Sequence, residues 1–538
     1  MHSRLSMIPV GIVTTFRSAV PLLAMVATSG YAEPLPPGLQ TTEVNVTRDS
    51  THRWGEPEIA VNPRNPNNMV YAIVGVAFTN DCQAAAATDP NSPCKLVTTV
   101  FGPQPVGLMS DIPGFSMISA WVTFDGGRTW KRTLDVPGQR PVFPLGHPGP
   151  SSPGDPLVTA GPDGTFYLGW DAIVFANLPT TIVAQGGIAA VKSKDGGLTW
   201  SNPVLTGTTI DRPFFTSDLS TGVIYEASSG QVPGPLASGD PTTIPVGPVD
   251  RHLVSSTDGV HWSTPQAFGG VTGIVALAYM SAAHGQLATA FKTGTASNAL
   301  CGSAPTPCTV FETTTDTGAT WSRHVVPAPS TYTGSPLVAA DPSKPGHFAI
   351  ALLMNSGAEF FVYQTNDSGN TWSGPATVSD DINKLHYHAW MAFSSPRRDD
   401  DDRDDHHPLS LLGLMWKTAE TAPGGNIFAP YNVWAAISPD AGATFSDPLK
   451  ISSAPSPAPD ARPFANGGDD FSFITFSKEN ALVGWADWRP AERSGFFSAI
   501  KLGAFKFKEN HESEPEEEDD DEHPWLKETQ AALHEPAR

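Results

Sequence analysis

The sequence predicts an all-β fold, a β-propeller of four-stranded antiparallel blades, with seven blades favoured and six possible. Three observations support this prediction. One polar turn pattern recurs six times, pairs of short apolar strands recur seven times, and Gly (49) and Pro (52) are abundant while only 16% of residues are charged. This composition is typical of many short strands joined by tight turns, and radial repetition of small sheets builds a propeller.

The repeated turn, called the Asp turn below, has the pattern Ser/Thr-x-Asp-x-Gly-x-Thr-Trp with small variations. Its Asp can accept hydrogen bonds from backbone N–H groups of its own turn, its Gly supplies a positive φ, and its aromatic residue anchors the hairpin. Six equivalent carboxylates therefore indicate structural turns rather than catalytic groups. The copies are Thr123–Trp130, Ser193–Trp200, Ser256–Trp262, Thr314–Trp321, Thr365–Trp372 and Ser438–Phe445.

Strand pairs lie between the Asp turns, and each is followed by a third strand and a short fourth. The early segment Glu43–Thr47 is a candidate for the outer strand of the last blade, which would close the ring. The seven pairs are Pro57–Val61 with Met69–Ile73, Pro156–Ala160 with Thr165–Trp170, Pro213–Thr216 with Val223–Tyr225, Ile274–Ala278 with Leu287–Phe291, Pro336–Ala340 with Phe348–Leu352, Ala389–Phe393 with Leu411–Trp416, and Phe471–Phe476 with Ala481–Trp485.

The two ends of the chain differ from this repeat. Residues 1–32 contain Arg4 and Arg17, a short apolar run and small residues before Glu33, which predicts a secretory signal peptide. We expect the propeller to occupy residues 33–507 and to be secreted or periplasmic. No later segment reaches the ~20 apolar residues of a membrane helix. Residues 508–538 form an acidic tail that we expect to be disordered.

The net charge of −22 is concentrated in two places. Ten acidic residues lie between Glu509 and Glu522, and six Asp lie between Asp399 and Asp405. The second run is interpreted as a solvated loop, with a cation site as the alternative. Because no basic stripe exists, we expect no nucleic-acid partner.

The four cysteines fall as two close pairs. In an exported chain this spacing predicts the disulfides Cys82–Cys94 and Cys301–Cys308 rather than a metal site. No cofactor and no metal are expected.

The Asp turns resemble the Asp-box, or bacterial neuraminidase repeat, motifs of the sialidase superfamily, and the resemblance covers roughly Arg53 to Phe507. It implies that the Asp turns ring one face of the propeller. The starts of the innermost strands and the ends of the second strands then surround the channel mouth on the opposite face, where a ligand would bind. Asp-box propellers also include enzymes on other glycans and non-enzymatic assembly factors.

Polar side chains are abundant at the positions that this geometry assigns to the mouth, although some of them can equally serve to fix turns. Before the innermost strands come Arg53, Glu56, Asp155, Asp211, Arg212, His386, His388, Arg462, Asp469 and Asp470. After the second strands come Asp171, Glu226, Lys292, Lys417, Asp487 and Arg489.

A sialidase needs an arginine cluster for the sugar carboxylate, a Tyr nucleophile activated by a Glu, and an Asp as acid/base. The resemblance suggests Arg53, Arg212 and either Arg462 or Arg489 for the cluster, Glu226 as the Glu, Tyr332 or Tyr387 as the nucleophile, and Asp81 or Asp155 as the acid. We assign Asp155, Glu226, Tyr387 and Asp487 to catalysis. We assign Arg53, Glu56, Arg212, His388, Arg462, Asp470 and Arg489 to substrate binding.

Three functions remain open at this point. The first is an exported sialidase-like glycoside hydrolase that acts on an acidic or complex glycan. The second is a hydrolase of neutral polysaccharide that uses two carboxylates such as Asp155 and Asp487. The third is a non-catalytic propeller that binds a glycan or a protein.

Overall fold

The structure, a computed structural model, describes residues 41–49, 52–77, 116–137, 151–177, 182–207, 213–230, 250–267, 279–293, 298–395, 410–458, 471–490 and 493–507. The predicted signal peptide, the Asp399–Asp405 run, the acidic tail and the pair Cys82 and Cys94 lie outside these ranges. None of the helices in the described part of the chain has the length and hydropathy of a membrane span.

The described strands form seven four-stranded antiparallel sheets, which are the blades of a β-propeller. Blade 1 consists of β2 (His52–Val61), β3 (Met69–Ala77), β4 (Ser116–Thr123) and β5 (Lys131–Pro137). Blade 2 consists of β6 (Ser151–Ala160), β7 (Phe166–Asn177), β8 (Ile182–Ser193) and β9 (Val204–Leu205). Blade 3 consists of β10 (Phe214–Ser217), β11 (Ile224–Gly230), β12 (Asp250–Ser256) and β13 (Gln266–Ala267).

The next three blades continue the pattern in chain order. Blade 4 consists of β14 (Met280–Ala283), β15 (Gln286–Lys292), β16 (Thr309–Thr314) and β17 (Ser322–Val326). Blade 5 consists of β18 (Thr333–Ala340), β19 (Phe348–Met354), β20 (Glu359–Thr365) and β21 (Ser373–Val378). Blade 6 consists of β22 (Leu385–Phe393), β23 (Leu412–Ala419), β24 (Tyr431–Ser438) and β25 (Leu449–Lys450).

Blade 7 is built from both ends of the described chain. Its inner strands are β26 (Phe473–Phe476), β27 (Asn480–Asp487) and β28 (Ser494–Lys501), and its outer strand is β1 (Thr41–Asn45). Pairing of β1 with β28 confirms the predicted closure. The innermost strands contact one another in order around the ring, including β26 with β2, so the seven-blade prediction is confirmed.

The same closure explains why the seventh unit lacks an Asp turn. Every Asp turn joins the third and fourth strands of its blade, for example β8 to β9 through Ser193–Trp200. In blade 7 the fourth strand, β1, comes from the other end of the chain, so no hairpin joins it to the third strand, β28.

Each Asp turn is held by its own side chains. In blade 2 the Asp195 carboxylate accepts hydrogen bonds from the N–H groups of Leu198 and Thr199 at 3.1 and 2.9 Å and from the Thr199 hydroxyl at 2.5 Å. The Ser193 hydroxyl donates to Asp195 and accepts the N–H of Gly197, each at 2.8 Å. The Asp turn therefore satisfies its own backbone donors, as its sequence predicts.

The Asp-turn glycines also press against the preceding blade. A Cβ at Gly127, where φ is +91°, would lie 2.2 Å from the Phe497 ring of blade 7, and one at Gly259, where φ is +68°, would lie 2.4 Å from Tyr167 of blade 2. The conformation and the close approach both require glycine. The turns consequently join neighbouring blades as well as neighbouring strands.

The inner strand of blade 4 corrects one prediction. The sequence predicts this strand at Ile274–Ala278, which lies outside the described residues, whereas the described partner of β15 is Met280–Ala283, in the register Met280 opposite Thr289. A two-residue turn makes the connection, with φ of 52° at His284 and 78° at Gly285. His-Gly was not recognised as a hairpin turn, so the apolar run before it was taken for the strand.

One predicted disulfide lies in the described residues and is present. Cys301 and Cys308 are bonded, with their Cα atoms 5.8 Å apart, and both are buried beside the short helix α1 (Asn298–Cys301). Both cysteines lie between β15 and β16 in the chain, and Cys308 directly precedes β16.

Four aromatic rings fill the centre of the ring of blades, and we call them the aromatic plug. Phe214 of blade 3 lies 5.0 Å from Tyr279 of blade 4, 6.4 Å from Trp390 of blade 6 and 6.2 Å from Phe471 of blade 7, measured between ring centroids. Tyr279 and Trp390 are 5.4 Å apart, edge to face. Such contacts stabilise the core beyond simple area burial.

Candidate functional site

The channel mouth is the end of the propeller where the innermost strands begin. Antiparallel pairing places Gly154 opposite Asp171 and Tyr387 opposite Lys417, so the starts of first strands meet the ends of second strands there. Met69 pairs with Thr123 at the other end, where the Asp turn follows. The mouth and the Asp turns therefore occupy opposite faces.

Four innermost strands carry an irregularity at the mouth. The registers of β2, β6, β18 and β22 shift there, and in three of these strands a residue other than glycine has a positive φ: Glu56 at 55°, Asp155 at 45° and His388 at 45°. A left-handed conformation costs a residue with a side chain about 1–2 kcal/mol, and such strain concentrates at functional sites. The three residues all belong to the predicted site.

Carboxylates gather where blades 1 and 2 meet. The Glu56 carboxylate accepts the backbone N–H of Asp155 at 3.1 Å. Asp171 lies beside them, since a Cβ on Gly154 would be 4.0 Å from its Oδ2 atom. Glu56 and Asp171 are buried, while Asp155 is half-buried at the rim. We call Glu56, Asp155 and Asp171 the acidic group.

Arginines gather where blades 7 and 1 meet. The guanidinium carbons of Arg53 and Arg493 lie over the Trp488 ring, 5.7 and 5.5 Å from its centroid. Arg493 is buried, with only 1% of its surface exposed, whereas Arg53 is half-buried at the rim. The sequence analysis missed Arg493, although it lies four residues after Arg489 in the segment that leads to β28.

Arg489 belongs to the closure of the ring. Its guanidinium binds Asp487 through Nε and Nη2 at 2.7–3.0 Å and Glu43 of β1 through Nη1 at 2.8 Å. Asp487 is fully buried and also accepts the indole N–H of Trp485 at 2.8 Å. These carboxylates raise the pKa of Arg489 despite its burial. Asp487 and Arg489 therefore bind each other at the place predicted for ligand contacts.

Blade 6 contributes a tyrosine and a lysine. The buried Tyr387 ring lies 4.6 Å from the His388 ring and 6.1 Å from the Tyr431 ring. The Lys417 ammonium, also buried, lies 5.1 Å from the Tyr431 centroid. The Tyr431 hydroxyl donates to the Ala486 carbonyl, which joins blade 6 to blade 7. A phenol and an ammonium therefore lie close together at the mouth.

Other candidates lie in structural surroundings. The buried Glu226 carboxylate accepts the Thr206 hydroxyl at 2.9 Å, next to the outermost strand of blade 2. His386 is buried between Asp380, at 2.7 Å, and the Gly357 carbonyl, at 2.9 Å. Burial raises the pKa of Tyr332 to about 12. A phenol that holds its proton so firmly is a poor nucleophile.

Several predicted residues cannot be placed. Arg212, Arg462 and Asp470, together with Asp81, Asp211 and Asp469, lie outside the described residues. Within the described ranges, no group of three or more His, Cys, Asp and Glu side chains could hold a metal ion. The acidic group, the arginines on Trp488 and the tyrosine with its lysine thus lie on an arc from blade 6 through blades 7 and 1 to blade 2.

Comparisons with known proteins address the fold. The sequence matches no protein-family model, and no curated protein is similar to it. A Hadza microbial sialidase has 17% identity over 74% of this chain and 75% of its own, with a TM-score of 0.40. A protein of unknown function from Dyadobacter fermentans has 14% identity over 85% of this chain and 98% of its own, with a TM-score of 0.41. Trypanosoma rangeli sialidase has 12% identity over 86% of this chain and 59% of its own, with a TM-score of 0.39.

Sialidases are among the structures that this chain resembles. At these identities the likeness concerns the fold alone. The chemistry of the mouth depends on its own side chains: a half-buried arginine on an aromatic ring, a carboxylate on a left-handed bulge, and a tyrosine beside a lysine.

Proposed function

We propose that the chain is an exported glycoside hydrolase of the sialidase type, which acts on an acidic glycan at the channel mouth. One observation carries the proposal. Arg53 and Arg493 are held over Trp488 at 5.7 and 5.5 Å, and the acidic group begins three residues after Arg53, at Glu56. Positive charge for a sugar carboxylate therefore stands beside carboxylates suited to acid/base chemistry.

Arg53 is the residue that we propose binds the sugar carboxylate. It is half-buried at the rim, whereas Arg493 is buried and Arg489 is engaged by Asp487 and Glu43. A planar guanidinium matches a carboxylate with two parallel hydrogen bonds, and stacking on Trp488 limits its rotation. Arg212 and Arg462 are proposed as further members of the cluster.

Asp155 is the proposed general acid and base. Its backbone is fixed by the hydrogen bond from its N–H to Glu56, and its side chain is half-buried rather than enclosed. The left-handed conformation, with φ of 45°, fixes the direction in which the side chain leaves the backbone. A carboxyl in such a position can protonate a leaving glycosidic oxygen and later deprotonate a water.

Tyr387 is the proposed nucleophile. Its cross-strand neighbour Lys417 carries a buried ammonium, and His388 lies 4.6 Å away between ring centroids. We propose His388, Glu56 and Asp470 as further substrate contacts. We propose Glu226 and Asp487 as further catalytic carboxylates, which their contacts with Thr206 and Arg489 hold in place.

The test is hydrolysis of α-linked sialosides beside neutral glycosides. Arg53→Ala should raise KM by a factor of about 10–100, equivalent to about 1.5–3 kcal/mol of lost binding. Asp155→Asn and Tyr387→Phe should lower kcat by about 10²–10⁴-fold. Asp195→Ala, in an Asp turn, is the control and should leave both constants unchanged.

Two outcomes would replace the proposal. Binding of sialosides that depends on Arg53 but shows no turnover would indicate a non-catalytic propeller. Turnover of neutral polysaccharide that does not depend on Arg53 would indicate a hydrolase of neutral polysaccharide instead.

Export is part of the proposal. The predicted signal at residues 1–32 and the Cys301–Cys308 disulfide both suit an oxidising compartment. Mass spectrometry of the protein recovered outside the cytoplasm should give a first residue of Glu33. Recovery of the full chain with reduced cysteines from the cytoplasm would contradict export.

A further inference from the structure

A second cavity lies on the other side of the aromatic plug from the mouth. It occupies the channel between the plug and the Asp-turn face and has a volume of about 650 Å³. Tyr279 and Trp390 of the plug line it, and so do the ends of the innermost strands and the loops after them. A volume of this size is typical of a site for a small organic ligand.

Hydroxyl groups from several blades line the wall. Some of them also join blades: the Ser217 hydroxyl donates to the Ala160 carbonyl at 2.6 Å, and Ser281 accepts the N–H of Ala340 at 3.0 Å. A hydroxyl has one donor and two acceptor positions, so groups held this way keep capacity for a ligand. The hydroxyl residues include Thr159, Thr216, Ser217, Ser281, Ser394 and Thr475.

The charges of the cavity do not suit an ion. Its carboxyl groups are Glu58 and Asp218, and its basic residues are Lys478 and His284. The Asp218 carboxylate accepts hydrogen bonds from Ser220 at 2.7–2.8 Å and from the N–H of Gly285. Burial raises the pKa of Glu58 well above its ordinary value. Two acidic and two basic residues line the cavity, so neither sign of charge dominates its wall.

Half-buried aromatic residues together with a wall of hydroxyl groups suit the binding of a sugar. The apolar C–H faces of a sugar ring pack on Tyr279 and Trp390, while its hydroxyls exchange hydrogen bonds with Ser and Thr. We propose that this cavity binds a short neutral oligosaccharide at the Asp-turn face, as a second site separate from the mouth. The plug separates the two sites, so each binds independently of the other.

The experiment uses the full chain and three probes, namely maltotriose, cellotriose and mannotriose, in saturation-transfer NMR and calorimetry. Thr216→Trp fills the cavity from blade 3, where no described hydrogen bond of the Thr216 side chain is lost. It should weaken binding of the recognised probe at least about tenfold. Thr475→Trp fills the cavity from blade 7 and should do the same. Thr264→Trp, exposed on blade 3 outside the cavity, should bind as the wild type does.

Arg53→Ala distinguishes this site from the proposed active site, because it should leave trisaccharide binding unchanged. The inference is overturned if none of the three probes binds the wild type at millimolar concentration. It is also overturned if binding survives in both tryptophan variants, or if Arg53→Ala abolishes it. Thermal unfolding of each variant verifies that the blades remain folded.

Discussion

The carboxylate of Glu56 in blade 1 accepts the backbone N–H of Asp155 in blade 2 at 3.1 Å. Both residues have left-handed backbones, with φ of 55° and 45°. The side chain of one bulge thus fixes the backbone of the next, and the rim of the mouth is held across a blade boundary.

Removing this acceptor should therefore affect stability and catalysis together. Glu56→Ala leaves the buried N–H of Asp155 without its carboxylate and should cost about 1–3 kcal/mol of unfolding free energy. Glu56→Gln keeps an acceptor oxygen and should lose less. Urea unfolding and sialoside turnover measure the two effects. If Glu56→Ala and Glu56→Gln lost equal stability and equal turnover, the charge of Glu56 rather than its hydrogen bond would be the cause.

The glycine of an Asp turn should tolerate no side chain. Gly127→Ala places a Cβ 2.2 Å from the Phe497 ring at a φ of +91°, so strain and overpacking add to about 2–4 kcal/mol. Gly302→Ala is the matched control, because its φ is +57° and nothing lies within 4 Å of the added carbon. It should cost only about 1 kcal/mol. Similar losses of stability in the two variants would show that the contact between the blades is not the cause.

The Asp turns should make stability depend on acid pH. Burial raises the pKa of Asp195, but the hydrogen bonds from Thr199, Ser193 and Leu198 outweigh it and lower the pKa overall. The hydroxyl and N–H of Thr320 lower the pKa of Asp316 to about 2. The unfolded value is about 3.9, so this stabilisation is present above about pH 4 and is lost as pH falls toward about 2.

Urea unfolding at several pH values measures this effect. Asp195→Asn should be less stable than the wild type at neutral pH, and the difference should shrink as the pH falls through the acid range. A difference that stays constant from neutral to acid pH would mean that Asp195 does not titrate with folding.

Asp487 should be needed for the fold of blade 7. Asp487→Ala leaves Arg489 without its buried partner and should cost about 3–5 kcal/mol. Glu479→Ala, which removes an ion pair with Lys501 whose side chains are 64% and 68% exposed, should cost less than about 1 kcal/mol. Chemical denaturation compares the two variants. Lost turnover in Asp487→Ala with unchanged stability would instead support a catalytic carboxylate.

The disulfide should contribute measurably to stability. Cys301 and Cys308 are seven residues apart, and closing a loop of this length removes about 2–3 kcal/mol of chain entropy from the unfolded state. The double variant Cys301→Ser with Cys308→Ser should therefore unfold at lower urea concentration. An unchanged midpoint in this variant would refute the contribution.

The architecture could be predicted because it depends on local patterns repeated along the chain. Strand pairs, Asp turns and the closing strand each have signals within a few residues. The inner strand of blade 4 was misplaced because His284 and Gly285 form a turn that composition alone does not distinguish from a strand continuation.

The site was harder to predict because partners come from distant blades. Arg53 and Arg489 are the same residue type at topologically related positions, yet only Arg489 meets Glu43, which arrives from β1. Likewise Glu226 meets Thr206 from the neighbouring blade. The sequence indicates which residues reach the mouth region. Their side-chain partners, which come from neighbouring blades, are visible only in the three-dimensional structure.

The outer strand of blade 7 has a consequence for how the protein is made. Thr41 pairs with Ile500, so the first described strand to be synthesised is among the last to find its partner. Contacts so distant in sequence slow folding, although the entropy of closing a long loop grows only gradually with its length. Until β28 is complete, β1 has no strand to pair with and its edges stay uncovered. Uncovered strand edges attract other chains. A cell producing this protein therefore has to protect an open ring from aggregation until its final blade emerges.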